Sequence, residues 1–148
     1  MSSSYSRRSM ESEREMFQVW VEESFAAGHA LRGYRGKCEN VHGHNYKIRV
    51  TLEGPALNSI GLLCDFKDLK DALNTTIKKL DHQFLNEVAP FDALNPSAEN
   101  IAKYFYDEVS RFIAAPPQRE KINPASAPCR VREVTVWEAD NTTATYGE

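Results

Sequence analysis

Polar and apolar positions alternate most cleanly from His42 to Glu53. His42, His44, Tyr46, Ile48, Val50 and Leu52 fall on one side, and Asn45, Lys47, Arg49, Thr51 and Glu53 on the other. A period of two predicts a strand with one buried face, which Gly54-Pro55 ends. A weaker alternation, Phe17, Val19 and Val21 against Gln18 and Trp20, predicts an earlier strand. It runs on through Phe25-Ala26-Ala27-Gly28-His29, with Gly28 marking a bend or a close backbone approach. Residues 31–37, with Gly33 and Gly36, read as a loop. After Asp65, a good N-cap, the spacing becomes three and four at Phe66, Leu69, Leu73, Ile77 and Leu80. That spacing predicts an amphipathic helix closed by Lys78 and Lys79. Ser97 opens a second helix carrying Ile101, Phe105, Val109 and Phe112. A last strong strand over 131–138 puts Val134, Val136 and Glu138 on one face, and a short final strand includes Thr143, Thr145 and Tyr146. The order strand, strand, helix, helix, strand, strand predicts an α+β fold, an antiparallel sheet with both helices on one side. The other side is left to solvent or to a partner subunit.

The chain has 148 residues, enough for one domain with a core that needs no disulfides. Residues 1–15 are polar and without period, which predicts a disordered tail before a domain over 16–148. Residues 114–129 hold four prolines and read as a loop insert. A net charge of −3 argues against a nucleic-acid partner, and no apolar run reaches the length of a membrane span. Arg7 and Arg8 lack a following apolar stretch, so the start is not a secretory signal. Cys38, Cys64 and Cys129 are odd in number and scattered, which fits a reducing cytoplasm better than a disulfide framework.

Candidate chemistry gathers at strand ends. His29 ends one strand, and His42 and His44 begin the next, so antiparallel pairing brings three imidazoles together. Three histidines with an open fourth position are a catalytic zinc arrangement. A lone histidine there would be a hydrogen-bonded residue at a sheet end; three of them, two in His-Gly-His on a core-phase face, point to metal. Gly43 lets the backbone come close to the metal or its ligand without a Cβ. Cys38 lies in a polar loop beside Lys37, and both that lysine and a dication favour its thiolate. It suits a fourth ligand, a base or a nucleophile. Cys64 and Cys129 lack such neighbours and read as structural. Asp81-His82 is either a helix terminus or a carboxylate orienting a proton-shuttling imidazole. Glu138 ends an apolar face, where a carboxylate wants a fixed partner such as a guanidine-like edge with two N–H donors.

Six motifs in sequence carry a resemblance over about residues 17–147. They are Phe25-Ala26-Ala27-Gly28-His29, Cys38-x-x-x-His42-Gly43-His44-Asn45-Tyr46, Gly61-x-x-x-Asp65-Phe66, Leu80-Asp81-His82, Pro96-Ser97-x-Glu99-Asn100 and Val136-Trp137-Glu138. Together they resemble the 6-pyruvoyl-tetrahydropterin synthase / 6-carboxy-tetrahydropterin synthase family. The resemblance implies the tunnelling fold (T-fold): a four-stranded antiparallel sheet with two helices on one face. It implies a homo-oligomer, trimer or hexamer, whose sheets join into barrels with sites at subunit interfaces. It implies zinc on His29, His42 and His44, Cys38 as catalytic base with Asp81 and His82, and a pterin held by Glu138 with help from Glu99. The implied substrate is 7,8-dihydroneopterin triphosphate, with Lys37, Arg32 and Arg35 as candidates for its phosphates. Two products divide the family: 6-pyruvoyl-tetrahydropterin, or 6-carboxytetrahydropterin with acetaldehyde, the latter leading to queuosine and other deazapurines. Only Glu39, Asn40 and Val41 separate Cys38 from His42, which looks like the carboxy branch. Ser97 and Ala139 stand where the family often has threonine.

Overall fold

The computed structural model describes residues 15–33, 40–115 and 129–148. The expected tail, the proline-rich insert and Cys38 with its neighbours Arg35 and Lys37 therefore lie largely or wholly outside the described residues.

Among the described residues, four strands form one antiparallel sheet in the order β1-β2-β3-β4. They are β1 (Phe17–His29), β2 (His42–Gly54), β3 (Arg130–Ala139) and β4 (Thr142–Gly147). Helices α1 (Phe66–Ile77) and α2 (Ala98–Ala114) cross one face, with a single 3₁₀ turn, Leu85–Glu87, between them. Both caps are as the sequence predicts. Asp65 accepts from the Lys67 N–H, and Ser97 from the Asn100 N–H. The core lies between sheet and helices. Val21, Phe25, Tyr46, Ile48, Val50, Leu52, Val134 and Val136 come from the sheet, and Leu69, Leu73, Ile101, Phe105 and Val109 from the helices. Phe25 stacks on Tyr46 at 5.2 Å between ring centroids and leans on Phe105 at 5.9 Å, tying β1, β2 and α2 together.

Three local expectations are corrected. Phe66 is 57% exposed, because it is the first residue of α1 and precedes the turn that meets the sheet. Leu80 is buried as expected but lies past the helix, in the turn that leads to Asp81. Thr51 and Glu53, on the polar side of the β2 alternation, are buried. The register shifts between Thr51 and Leu52 as β2 pairs with β3, and Glu53 then faces Arg130. Its carboxylate accepts from Arg130 Nε at 2.9 Å and from Arg132 Nη1 at 3.1 Å.

The open face of the sheet carries an aromatic and cationic row. The Arg49 guanidinium lies 4.0 Å from the Trp20 ring centroid and 2.7 Å from Glu22, and Lys47 lies 4.3 Å from the Trp137 ring. No helix among the described residues is long and apolar enough to cross a membrane.

Glu53 is the buried charge on which the β2–β3 junction depends. Glu53→Ala is expected to lower stability by about 1–2 kcal/mol, a buried-pair cost discounted for the half-exposed arginines. Urea denaturation measures it, and an unchanged midpoint would show that the junction holds without the carboxylate.

Candidate active site

Antiparallel register creates the site. β1 ends where β2 begins, so His29 faces His42 directly, Gly28 faces Gly43, and Ala27 faces His44. Glu138 follows Val136 on the same face of β3, whose Val136 is paired with Ile48 of β2. Four side chains thus converge at one end of the helix-covered face. The ligand-type atoms of His29, His42, His44 and Glu138 all lie within 4.8 Å of one another.

Hydrogen bonds on the far sides of two rings set their tautomers. His29 Nδ1 is 2.8 Å from the Pro96 carbonyl oxygen, and His42 Nδ1 is 2.7 Å from that of Asn40. A carbonyl only accepts, so each Nδ1 carries a proton, and in the neutral ring Nε2 keeps a lone pair. Those two Nε2 atoms approach each other to 3.0 Å. Glu138 Oε1 adds a third electron-rich atom, 3.2 Å from His29 Nε2 and 3.0 Å from His44 Nε2. Among the described residues, buried His44 Nε2 has no hydrogen-bonded partner, so that last approach is a close contact without donor geometry. Burial, with repulsion from His29 and His42, outweighs the pull of Glu138 and holds His44 below the usual imidazole value. Lone pairs converging in this way suit a cation among them, and imidazoles backed by carbonyl acceptors are the usual metal-ligating form. The four residues fit a divalent metal.

The Tyr46 hydroxyl, fully buried beside the cluster, also lacks a hydrogen-bond partner among the described residues. Burial first, then the nearby Glu138 carboxylate, keep it protonated.

Asp81 and His82 lie along the outer edge of β1. The chain turns there with His82 in the left-handed region at φ 58, which its side chain tolerates at a small cost. The His82 N–H donates to Ala26 O at 2.7 Å, and Gly28 N donates to Gln83 O at 3.0 Å. Asp81 Oδ1 accepts from Ala26 N at 3.1 Å and lies 3.0 Å from His82 Nδ1. The Ala26 N–H, and then His82, hold the Asp81 carboxyl below the usual carboxylate range. The His82 ring is otherwise exposed. An open hollow of about 410 Å³ is lined by Ala26, Gly28, Gly43, His44, Asn45 and His82, among others, so it touches both the histidine cluster and the Asp81–His82 pair. A Cβ on Gly28 would meet its neighbours at 3.7 Å and one on Gly43 at 3.8 Å, both ordinary contacts. Close approach to neighbouring protein backbone is therefore not what calls for a glycine at 28, and both glycines line the hollow.

Glu99 is exposed in the first turn of α2 and is not among the four converging groups. The Arg32 guanidinium is engaged by backbone carbonyls, from Nη2 to Phe91 at 2.9 Å and to Asn86 at 3.2 Å, which leaves it a poor candidate for binding phosphates. The carbonyls of Pro96 and Asn40 escaped the sequence reading, because a backbone acceptor leaves no mark on residue type.

A family model described as 6-pyruvoyl tetrahydropterin synthase matches residues 18–148. A 6-carboxy-5,6,7,8-tetrahydropterin synthase of Haemophilus influenzae is 39% identical over 74 residues, 47% of this chain and 52% of that protein. A 6-pyruvoyl tetrahydrobiopterin synthase of Drosophila melanogaster is 36% identical over 78 residues, 44% of this chain and 46% of that protein. The chain thus spans about half the length of these curated relatives. The structure of Caenorhabditis elegans 6-pyruvoyl tetrahydropterin synthase matches with a TM-score of 0.75 at 25% identity, over 90% of this chain and 96% of that one.

Cys64 is the buried thiol near the start of α1. Burial, with Cys129 and two aspartates nearby, pushes it up to about 12. Iodoacetamide at pH 8 is therefore expected to leave Cys64 unmodified in the native protein and to label it after unfolding, as peptide mass mapping would show. Labelling in the native state would contradict its burial.

Proposed function

The chain belongs to the 6-pyruvoyl tetrahydropterin synthase family, and we propose that within it the protein is a zinc-dependent 6-carboxy-5,6,7,8-tetrahydropterin synthase. It converts 7,8-dihydroneopterin triphosphate to 6-carboxytetrahydropterin, acetaldehyde and triphosphate, as a cytoplasmic homo-oligomer with sites at subunit interfaces. The observation that carries the reading is the cluster of His29, His42, His44 and Glu138, whose facing lone pairs call for a cation. Zinc held by the three histidines supplies Lewis acidity to the hydroxyls of the substrate side chain.

The remaining chemistry belongs to the protein's own groups. Cys38, four residues before His42, takes a proton from the substrate side chain. Asp81 accepts from His82 Nδ1, which leaves Nε2 to give and take protons over the hollow. Glu138 pairs with the N–H edge of the pterin, with Glu99 as helper. The carboxy branch is favoured by the short spacer Glu39-Asn40-Val41 and by relatives of that name such as the Haemophilus influenzae protein. A relative named for the pyruvoyl product also matches, so 6-pyruvoyl-tetrahydropterin is the alternative.

Mass identification of the products from zinc-loaded protein and dihydroneopterin triphosphate tests the reading. Acetaldehyde with 6-carboxytetrahydropterin is expected. A pyruvoyl product would select the other branch, and no product would leave only a pterin- or zinc-binding protein. Cys38→Ala and Glu138→Gln should each retain zinc while turnover falls by roughly 10²-fold or more, the range for losing a positioned proton-transfer group. Loss of zinc from either variant, by atomic absorption, would make that residue a ligand.

A further inference from the structure

The hydrogen bond from His29 to Pro96 joins residues far apart in sequence, and something must fix the carbonyl that receives it. Pro96 has no N–H of its own to pin it. Its neighbours hold it instead. Asn95 places both arms of its amide on the backbone of Arg32: Oδ1 accepts from the Arg32 N–H at 2.9 Å, and Nδ2 donates to the Arg32 carbonyl at 2.9 Å. Arg32 lies three residues beyond His29. The Asn95 carbonyl in turn accepts from Asn100 Nδ2 at 2.9 Å, and Ser97 accepts from the Asn100 N–H at 3.2 Å. Segment 95–97 is therefore locked to the chain after β1 on one side and to the first turn of α2 on the other.

We propose that Asn95 and Asn100 are positioning residues that hold the Pro96 carbonyl against His29 Nδ1 and so set the metal affinity of the histidine cluster. The inference rests on the metal reading above. Held there, the carbonyl keeps the proton on Nδ1, turns Nε2 toward His42 and Glu138, and raises the basicity of the ring. Losing such an outer partner typically weakens metal binding by about 10–100-fold.

Asn86 supplies a built-in control. It grips Ala30 in the same two-armed way, accepting from the Ala30 N–H at 2.9 Å and donating to its carbonyl at 2.8 Å. Residues 30 and 32 thus each receive an asparagine side chain where a further strand would pair. Only the Asn95 clamp is continuous with Pro96.

The test is zinc affinity of the full chain, by competition with a chromophoric chelator. In Asn95→Ala and Asn100→Ala the affinity should fall by about 10–100-fold, with all four converging side chains intact. Asn95→Asp keeps the accepting arm and loses the donating one, so it should fall between; it also serves if Asn95→Ala does not fold. Asn86→Ala should lower the melting temperature yet leave affinity within about threefold of the parent, well inside the loss set for the lock. Equal losses in the Asn86 and Asn95 variants would reduce the effect to general loosening and overturn the proposal. Unchanged affinity in Asn95→Ala would overturn it as well, whereas a parent protein that takes up no zinc would remove the metal reading itself.

Discussion

Two imidazole nitrogens, each with its proton drawn to the opposite side of its ring, face one another at 3.0 Å across the end of a strand pair. A carboxylate oxygen lies 3.2 Å from one of them. Electron-rich atoms this close repel unless a positive charge lies among them. The rest of the site depends on that constraint. The Pro96 and Asn40 carbonyls maintain it by holding the Nδ1 protons, and burial works the same way by holding His44 below the usual imidazole value.

The sheet delivers this convergence through pairing rather than through a loop. Register alone sets His29 against His42 and carries His44 to the same face one step on. β3 adds Glu138 at its end, beyond the core valines. Because the same face is packed under both helices, the side chains arrive on a rigid support. The Asp81–His82 pair comes from the other direction, stitched to the outer edge of β1 as the chain leaves α1. Cluster and pair meet the same hollow, floored by two glycines that face each other across the strands.

Much of this architecture was legible in the sequence, because period and capping are local. The alternation from His42 to Leu52 marks a strand and puts the histidines in phase with the core. Asp65 and Ser97 cap the helices they announce. What stayed hidden depends on backbone atoms or on partners brought in from elsewhere. Glu53 sits at a polar position of the alternation, yet two arginines of β3 cover it. Phe66 fits the helical spacing, but its place at the first turn leaves it outside the core. Arg32 has the charge to bind a phosphate, and its guanidinium is taken up by carbonyls. The clamps from Asn86 and Asn95 join positions more than 50 residues apart, with |i−j| of 56 and 63, which no periodicity reports.

The central claim is a metal held by histidine nitrogens with oxygen completing the shell, and with the Cys38 sulfur outside it. X-ray absorption at the zinc edge of the reconstituted protein tests it most directly. Three imidazole nitrogens with oxygen, all at about 2.0–2.2 Å, are predicted. A sulfur neighbour at about 2.3 Å would turn Cys38 into a ligand and the centre into a closed, structural one.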